Sequence, residues 1–124
     1  LAENNLGAFL LDEGELDHAE KLFRDSKRIS LSAGGEETLN VANTRSHLGE
    51  CLTRQGKSAE AERELLEAHR VLEKIEFGKQ ERTLRARRRL VSLYDAWEAA
   101  EPGKGYAEKA VEWRAKLTIE NPQP

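Results

Sequence analysis

Apolar and small side chains recur along residues 43–74 at steps of three, four and five, which is the spacing of one face of an α-helix. These positions are Leu48, Gly49, Leu52, Ala61, Leu65 and Ala68. Gly56 interrupts the series between Gln55 and Lys57, and a lone glycine in such a place favours a chain reversal. The stretch therefore predicts two antiparallel helices joined by a tight turn.

The same pattern occurs 42 residues upstream. Seven positions are identical across this shift, namely Leu6/Leu48, Gly7/Gly49, Leu10/Leu52, Gly14/Gly56, Ala19/Ala61, Glu20/Glu62 and Arg28/Arg70. Downstream, Leu90 and Tyr94 continue the pattern, whereas Val91 replaces the first glycine. Gly105 and Ala110 follow after a short insertion. A fixed period with two helices in each copy indicates a repeat protein.

Turn signals divide the chain into six predicted helices. These cover about residues 1–13, 17–31, 37–55, 58–77, 80–99 and 106–117. No alternation of apolar and polar residues survives four residues between turn signals, so no strand is predicted. The predicted repeats cover about residues 1–35, 36–78 and 79–118, and residues 119–124 are predicted to be a frayed tail.

Residue types near the helix ends predict how the helices start and stop. Asp17 stands three residues before Glu20, which is the spacing of a capping box at the start of the second helix. Ser58 is the expected cap of the fourth helix, and Gly78 is its expected stop. Ala33-Gly34-Gly35 is expected to end the second helix, because glycine adopts the left-handed conformation at little cost.

The same periodicity predicts which side chains are buried. In the first helix they are Leu6, Phe9, Leu10 and Leu11; in the second, Ala19, Leu22, Phe23, Ser26 and Ile29; in the fifth, Leu84, Ala86, Leu90, Leu93, Tyr94 and Trp97. Small residues at Gly7, Gly49, Ala19 and Ala61 are expected to let helix backbones approach closely. Stacking of neighbouring helix pairs is then needed to close a continuous core.

Composition limits the class of protein. The 124 residues are enough for one domain or for one segment of a longer array. With 38% hydrophobic and 35% charged residues, the chain fits a water-soluble helical protein. A net charge of −3 predicts neither membrane attraction nor general nucleic-acid binding, and no segment is apolar enough to span a bilayer. A lone Cys51 forms no internal disulfide, so a cytoplasmic protein is predicted.

The residue pattern resembles the tetratricopeptide repeat: Leu-Gly, Leu or Tyr three residues on, a turn glycine, Ala five residues later and a large apolar residue four after that. HEAT and armadillo arrays fit by period alone. The string Asn4-Asn5-Leu6-Gly7, with its period of 42, is similar to the kinesin-light-chain variety of this repeat. The resemblance implies an all-α, right-handed solenoid of antiparallel helix pairs, with about two and three-quarter repeats. An ordinary helical bundle is the alternative.

The resemblance also implies a function. In tetratricopeptide folds the first helix of each repeat lines a concave groove that binds a protein or peptide, without catalysis. The residues expected in that groove are Asn4, Ala8, Asn43, Ser46, His47, Glu50, Arg54, Arg85, Arg88, Arg89 and Ser92, with Leu11 and Asp12 beside them. Some members of the family grip a terminal carboxylate with lysine, asparagine and arginine. Arg85 and Arg89 occupy the two basic positions of that clamp, whereas Asn4, Ala8 and His47 occupy the others, so the clamp is half present.

Five arginines cluster on the fifth helix, at positions 82, 85, 87, 88 and 89. Arg85 and Arg88 lie opposite the apolar face, whereas Arg87 lies nearer the core and is expected to pair internally. Three interpretations stay open. The arginines are a solvated face that pairs with nearby glutamates, a basic subsite for an acidic peptide, or part of a nucleic-acid surface. The last lacks stacking aromatic residues.

No residue pattern predicts catalysis, a metal or a cofactor. His18, His47 and His69 are scattered and have no ligand spacing. Cys51 precedes the core residue Leu52 and is expected to be a small buried hydrophobe. The closing pattern, residues 89–97 with Trp113-Arg114-Ala115, is similar to the final repeat behind some bacterial serine/threonine kinase domains, so a regulatory or scaffolding tail of a larger enzyme is the alternative function.

The chain opens within a helix that has no start signal. We therefore expect a fragment of a longer protein, entered partway into a repeat. Removal of an upstream neighbour would expose Leu1, Leu11 and the apolar side of the first helix. Such patches favour association, so end-to-end self-association is predicted.

Overall fold

The computed structural model describes residues 2–35, 37–77 and 81–119, and the side chains of residues 5–117 within these ranges. Six helices run in chain order: α1 (Ala2–Asp12), α2 (Leu16–Gly34), α3 (Leu39–Arg54), α4 (Ser58–Glu76), α5 (Glu81–Ala100) and α6 (Tyr106–Ile119). The described ranges contain no strand. Each helix packs on the next, and α3 also packs on α1 and α5, which forms an all-α solenoid of helix pairs as predicted.

The turns within the first two repeats have the same backbone geometry. Gly14 and Gly56 end α1 and α3 with φ of +80° and +79°. After Gly14, the Glu15 amide donates to the Leu10 carbonyl at 2.8 Å, and after Gly56 the Lys57 amide donates to Leu52 at 2.9 Å. This is the Schellman arrangement, in which the residue with positive φ is usually glycine. The 42-residue sequence register is therefore also a structural register.

At Gly7 and Gly49, a side chain of the second helix lies directly against the backbone of the first helix. A Cβ on Gly7 would overlap the Phe23 ring, and one on Gly49 would overlap Cγ and Cδ2 of Leu65. The predicted close contact is confirmed: a glycine on the first helix receives the large apolar residue of the second.

A continuous apolar core runs through all three helix pairs. Its buried members are Leu11, Ala19, Phe23, Leu48, Cys51, Leu52, Ala61, Leu65, Leu90, Leu93, Tyr94, Trp97 and Ala110. In the third pair, aromatic rings replace the glycine contact: Trp97 stacks on Tyr106 with 4.1 Å between ring centroids, and on Tyr94 with 6.3 Å. Val91, which stands where the first two repeats have glycine, is buried.

Two predicted caps are wrong. Glu15 and Lys57 precede α2 and α4, and neither accepts a side-chain capping bond. Asp17 instead lies in the first turn of α2 and accepts a hydrogen bond from Gln55 at 2.9 Å. Ser58 is the first helical residue of α4. The residue directly after each turn glycine, Glu15 or Lys57, occupies the N-cap position. Ser58 therefore lies inside the first turn of α4 and cannot cap it.

One cap that the sequence analysis missed is Thr38. Its Oγ1 accepts a hydrogen bond from the Val41 amide at 3.2 Å, at the start of α3. The predicted stop at residues 33–35 is confirmed, since α2 ends at Gly34 and Gly35 has φ of +83°.

The predicted buried face of α1 is partly wrong. Leu6 and Phe9 are 49% and 58% exposed, whereas Leu11 is only 3% exposed. Helix α1 buries the side that carries Gly7 and Leu11 against α2 and α3, and residues 6 and 9 lie on the opposite side. The exposed apolar patch therefore contains Leu6 and Phe9 and excludes Leu11.

Other expectations need smaller corrections. Ile29, predicted inside, is 46% exposed on α2, and Leu84 is only partly buried on α5. Helix α6 continues to Ile119, beyond the predicted end. Four predicted features lie outside the described residues: the exposure of Leu1, the groove role of the Asn4 side chain, the stop at Gly78 and the tail from residue 120.

Candidate functional site

A cavity of about 400 Å³ lies between α3 and α5. We call it the arginine pocket. Its lining residues are Glu50, Thr53, Arg54, Arg85, Arg88, Arg89 and Ser92. The α3 members occupy adjacent turns of one helix face, and so do the α5 members, because residues three and four apart share a helix face.

Glu50 is the single carboxylate of this lining. It accepts hydrogen bonds from Arg54 at 2.7 Å and from Arg89 at 3.1 Å. Arg54 also donates to the Leu11 carbonyl at 3.0 Å, which connects the rim to α1. Four guanidinium groups against one carboxylate leave the lining with a net charge of +3.

Arg89 is the innermost of the four arginines, with a side chain that is 12% exposed. Besides Glu50, its guanidinium donates to the Ser46 hydroxyl at 2.6 Å. Its Nη2 lies 3.4 Å from Nδ1 of His47. Arg89 therefore joins α5 to α3 from beneath the pocket floor. Because its guanidinium is already hydrogen-bonded there, it contributes positive charge to the pocket and few donors for a ligand.

His47 lies next to this network. Its ring stacks on Phe23 with 5.4 Å between centroids, which joins α3 to α2. Burial, together with the charges of Arg89 and Arg85, lowers the pKa of His47 to about 4. The imidazole is therefore neutral near pH 7, and the positive charge of the pocket comes from arginine alone.

Arg85 and Arg88 form the open side of the pocket. Arg85 pairs with Glu81 at 2.8 Å, one turn earlier on α5, and both side chains are solvent-accessible. Arg88 is exposed and makes no hydrogen bond or ion pair with any residue in the described ranges. Exposed pairs are worth at most about 1 kcal/mol. These two guanidinium groups are therefore the ones available to a bound anion.

The structure brings together six of the eleven residues expected in the groove: Glu50, Arg54, Arg85, Arg88, Arg89 and Ser92. Ser46 and His47 lie beneath them, where Arg89 contacts both. Ala8 and Asn43 are partly buried and do not line the pocket. The sequence analysis missed Thr53, which lies one helical turn beyond Glu50 and is detectable by that spacing.

Arg87 lies on the other side of α5 and is 1% exposed. It donates to Nε2 of His69 at 2.9 Å, to Glu73 at 2.8 Å and to the Lys116 carbonyl at 3.2 Å. Internal pairing of Arg87 is thus confirmed. This arginine joins α4, α5 and α6 and takes no part in the groove.

Other reactive side chains have structural surroundings. Cys51 is buried, and its Sγ donates to the Leu16 carbonyl at 3.2 Å. Burial raises the pKa of this thiol to about 11, which makes it a poor nucleophile near pH 7. Among the described residues, no group of histidine, cysteine, aspartate and glutamate is arranged to hold a metal ion. None of the described helices is long and apolar enough to cross a membrane.

Comparison with known proteins agrees with the fold. The family model of the tetratricopeptide repeat matches residues 1–74. Since this is more than half of the chain, the protein belongs to the tetratricopeptide repeat family, whose members generally mediate protein–protein interactions. Residues 75–124 lie outside the match, but α5 and α6 continue the same stacking of helix pairs. No curated protein matches the chain.

Proposed function

We propose that this chain is a non-catalytic protein-interaction module whose arginine pocket binds an acidic peptide segment of a partner. The observation that carries the proposal is the lining itself, with a net charge of +3 around a concave cavity and two guanidinium groups open to solvent. Charge complementarity of this kind steers association and selects acidic partners.

The interactions available in the pocket differ in strength. A charge-assisted contact contributes roughly 1.5–3 kcal/mol when partly desolvated and less than about 1 kcal/mol when fully solvated. Arg88 lies on the pocket wall without a partner among the residues that the structure describes, so there a bound carboxylate competes with water. At Arg85 the same carboxylate competes only with the exposed Glu81 pair.

The alternatives receive less support. Binding of single-stranded nucleic acid uses aromatic rings on which bases stack, and no lining residue of the pocket is aromatic. A solvated arginine face accounts for the exposure of Arg85 and Arg88, but it does not predict that four arginines line one concave cavity. The regulatory-tail hypothesis and the cytoplasmic location stay predictions.

A direct test uses two fluorescein-labelled peptides, one of alternating glutamate and alanine and a twin with glutamine in place of glutamate. Fluorescence anisotropy should show at least tenfold tighter binding of the glutamate peptide. The double variant Arg85→Glu/Arg88→Glu should weaken that peptide at least tenfold, which corresponds to about 1.4 kcal/mol. Arg89 stays unchanged in this test because it packs α5 on α3.

The matched control is Arg63→Glu, which reverses the charge of an exposed arginine on α4 outside the pocket. It should change the affinity less than about twofold. Equal affinity of wild type and the double variant for the glutamate peptide would remove the pocket from the proposal. The binding surface would then lie elsewhere on the molecule.

We also propose that a second copy of the chain covers the exposed face of α1. Leu6 and Phe9 correspond to Leu48 and Cys51 in the 42-residue register, and both of the latter are fully buried. The preceding helix pair covers that face of α3, where Cys51 bonds to the Leu16 carbonyl. Helix α6 of a second copy, with Val111 63% exposed, would take the place of α2 in a head-to-tail contact.

A further inference from the structure

We infer that the arginine pocket recognises a phosphoryl group on a side chain of the bound segment in preference to a single carboxylate. This inference rests on the proposed function and specifies the ligand chemistry of the same pocket. Three observations carry it: the residual charge of the lining, the donors left uncommitted, and the role of Glu50.

The charge of the lining exceeds what one carboxylate neutralises. The lining carries +3, and the Glu81 carboxylate that pairs with Arg85 offsets one of these charges, so a bound glutamate would still leave one positive charge uncompensated. A phosphorylated serine or threonine carries about −1.5 to −2 at pH 7. The phosphoryl group therefore compensates most of the excess charge, and it does so at one position.

The uncommitted donors also fit a phosphoryl group. Arg88 offers its whole guanidinium, Arg85 is held only by an exposed pair with Glu81, and Ser92 adds an exposed hydroxyl on the next turn of α5. A phosphoryl group presents three acceptor oxygens, and the planar guanidinium fork binds such oxygens in pairs. A carboxylate has two oxygens and a single negative charge, so it offers the same donors fewer acceptor atoms and less charge.

Glu50 does not counteract this preference. Its two oxygens are engaged, one by Arg89 and the other by Arg54. The carboxylate thus fixes two guanidinium groups at the floor and rim, where they contribute charge to the pocket. The ligand-binding edge is left to the α5 residues on the open side.

The test compares three pentapeptides that differ only in a central phosphoserine, glutamate or serine. Acetylated and amidated ends remove the terminal charges, and all other positions are alanine or glycine. Calorimetry or a nuclear magnetic resonance titration should give at least tenfold tighter binding of the phosphoserine peptide than of the glutamate peptide. The serine peptide should bind more weakly than both.

Variants locate the effect. Arg88→Gln should weaken the phosphoserine peptide at least tenfold and reduce its advantage over the glutamate peptide, while Arg88→Lys should recover only part of the loss, because lysine keeps the charge but not the fork. Arg63→Gln removes the same charge from an exposed site on α4 and should leave all three affinities unchanged. Thermal melts of each variant check the fold.

The outcomes separate this inference from the proposed function. Equal binding of the glutamate and phosphoserine peptides would overturn the inference and leave the acidic-peptide function standing. Lack of binding by either charged peptide would overturn both. Preference for phosphoserine that survives Arg88→Gln would place the site elsewhere. Inorganic phosphate that binds as tightly as the phosphoserine peptide would mean a free-anion site, which also overturns the inference.

Discussion

At the scale of single residues, Gly49 shows how one missing side chain permits the packing of a repeat. Leu65 occupies the volume that a Cβ on Gly49 would need, and Phe23 does the same at Gly7. The two glycines are thus required by contact between helices, because their backbone is ordinary helix.

Gly49→Ala should lower the free energy of unfolding by about 1–3 kcal/mol through overpacking, and Gly49→Leu by more than about 2 kcal/mol. Denaturant melts measure both. Leu65→Ala provides the control, because in that background the alanine at position 49 has room and should cost much less. A neutral or stabilising Gly49→Ala, as an exposed helical glycine would show, contradicts the close contact.

His47 is a second residue whose surroundings lead to a measurable prediction. In the fold, burial and then Arg89 and Arg85 lower its pKa to about 4 from the ordinary value of 6.5. Between these values the unfolded chain binds the proton and the folded chain does not. The stabilising contribution is therefore complete above pH 6.5 and is lost as the pH falls towards 4, by at most about 3 kcal/mol.

The variant His47→Gln should show a flatter dependence of unfolding free energy on pH, measured in urea between pH 7.5 and 4.5. His18→Gln is the matched control, because it makes the same substitution at an exposed histidine. Burial raises the pKa of Glu20, but hydrogen bonds from Lys57 and Arg24 outweigh burial and hold this pKa at about 2. Protonation of Glu20 therefore lowers the unfolding free energy only below pH 4.5. A slope unaffected by His47→Gln would show that another group titrates.

At the scale of elements, the sequence predicted features that a helix carries in its own residues. The turns at Gly14 and Gly56 and the stop at Gly35 depend on a local backbone conformation, so residue type was enough. The N-caps, in contrast, depend on the residue at which each helix begins, and the geometry of the preceding turn decides that residue. For this reason Ser58 was assigned wrongly and Thr38 was missed.

The two cap positions allow a matched test. Thr38→Ala removes the bond that the Val41 amide donates and should cost about 1 kcal/mol of stability. Ser58→Ala removes no capping bond and should change stability by less than about 0.5 kcal/mol. Thermal and urea melts of the two variants give the comparison. Similar losses at both sites would mean that the threonine bond does not stabilise α3.

The part of the arginine pocket that one helix carries by itself was predictable from the sequence. Helical spacing placed Arg85, Arg88 and Ser92 on one face of α5 without any knowledge of neighbours. Burial of Ser46 and Arg89 was not predictable, because it results from the crossing of α3 and α5. Resemblance to the family predicted which face of each helix lies toward the groove. It did not predict how deeply each side chain is buried.

At the scale of the whole molecule, α1 carries an exposed apolar face that contains Leu6 and Phe9. If a second copy covers it, association should increase with concentration, and Leu6→Glu/Phe9→Glu should abolish it. Sedimentation equilibrium over a concentration series is the measurement. Phe77→Glu is the control, because Phe77 is 84% exposed but lies at the end of α4, away from α1.

Three outcomes would contradict this self-association. They are monomeric behaviour of the wild type at millimolar concentration, unchanged association of the double variant, and an equal effect of Phe77→Glu. The last would indicate unspecific hydrophobic attraction and not a defined face.

The junction at Arg87 has a consequence for the way such repeats are exchanged or recombined. A guanidinium that is 1% exposed has its counter-charge on Glu73 and an acceptor on His69, and both lie on α4. A helix pair α5–α6 transplanted behind a foreign α4 would keep the Lys116 carbonyl but lose the Glu73 counter-charge of a buried cation, a defect that costs several kcal/mol. The third repeat is therefore not exchangeable by itself. A transfer that keeps the Arg87 contacts must include α4 together with α5 and α6.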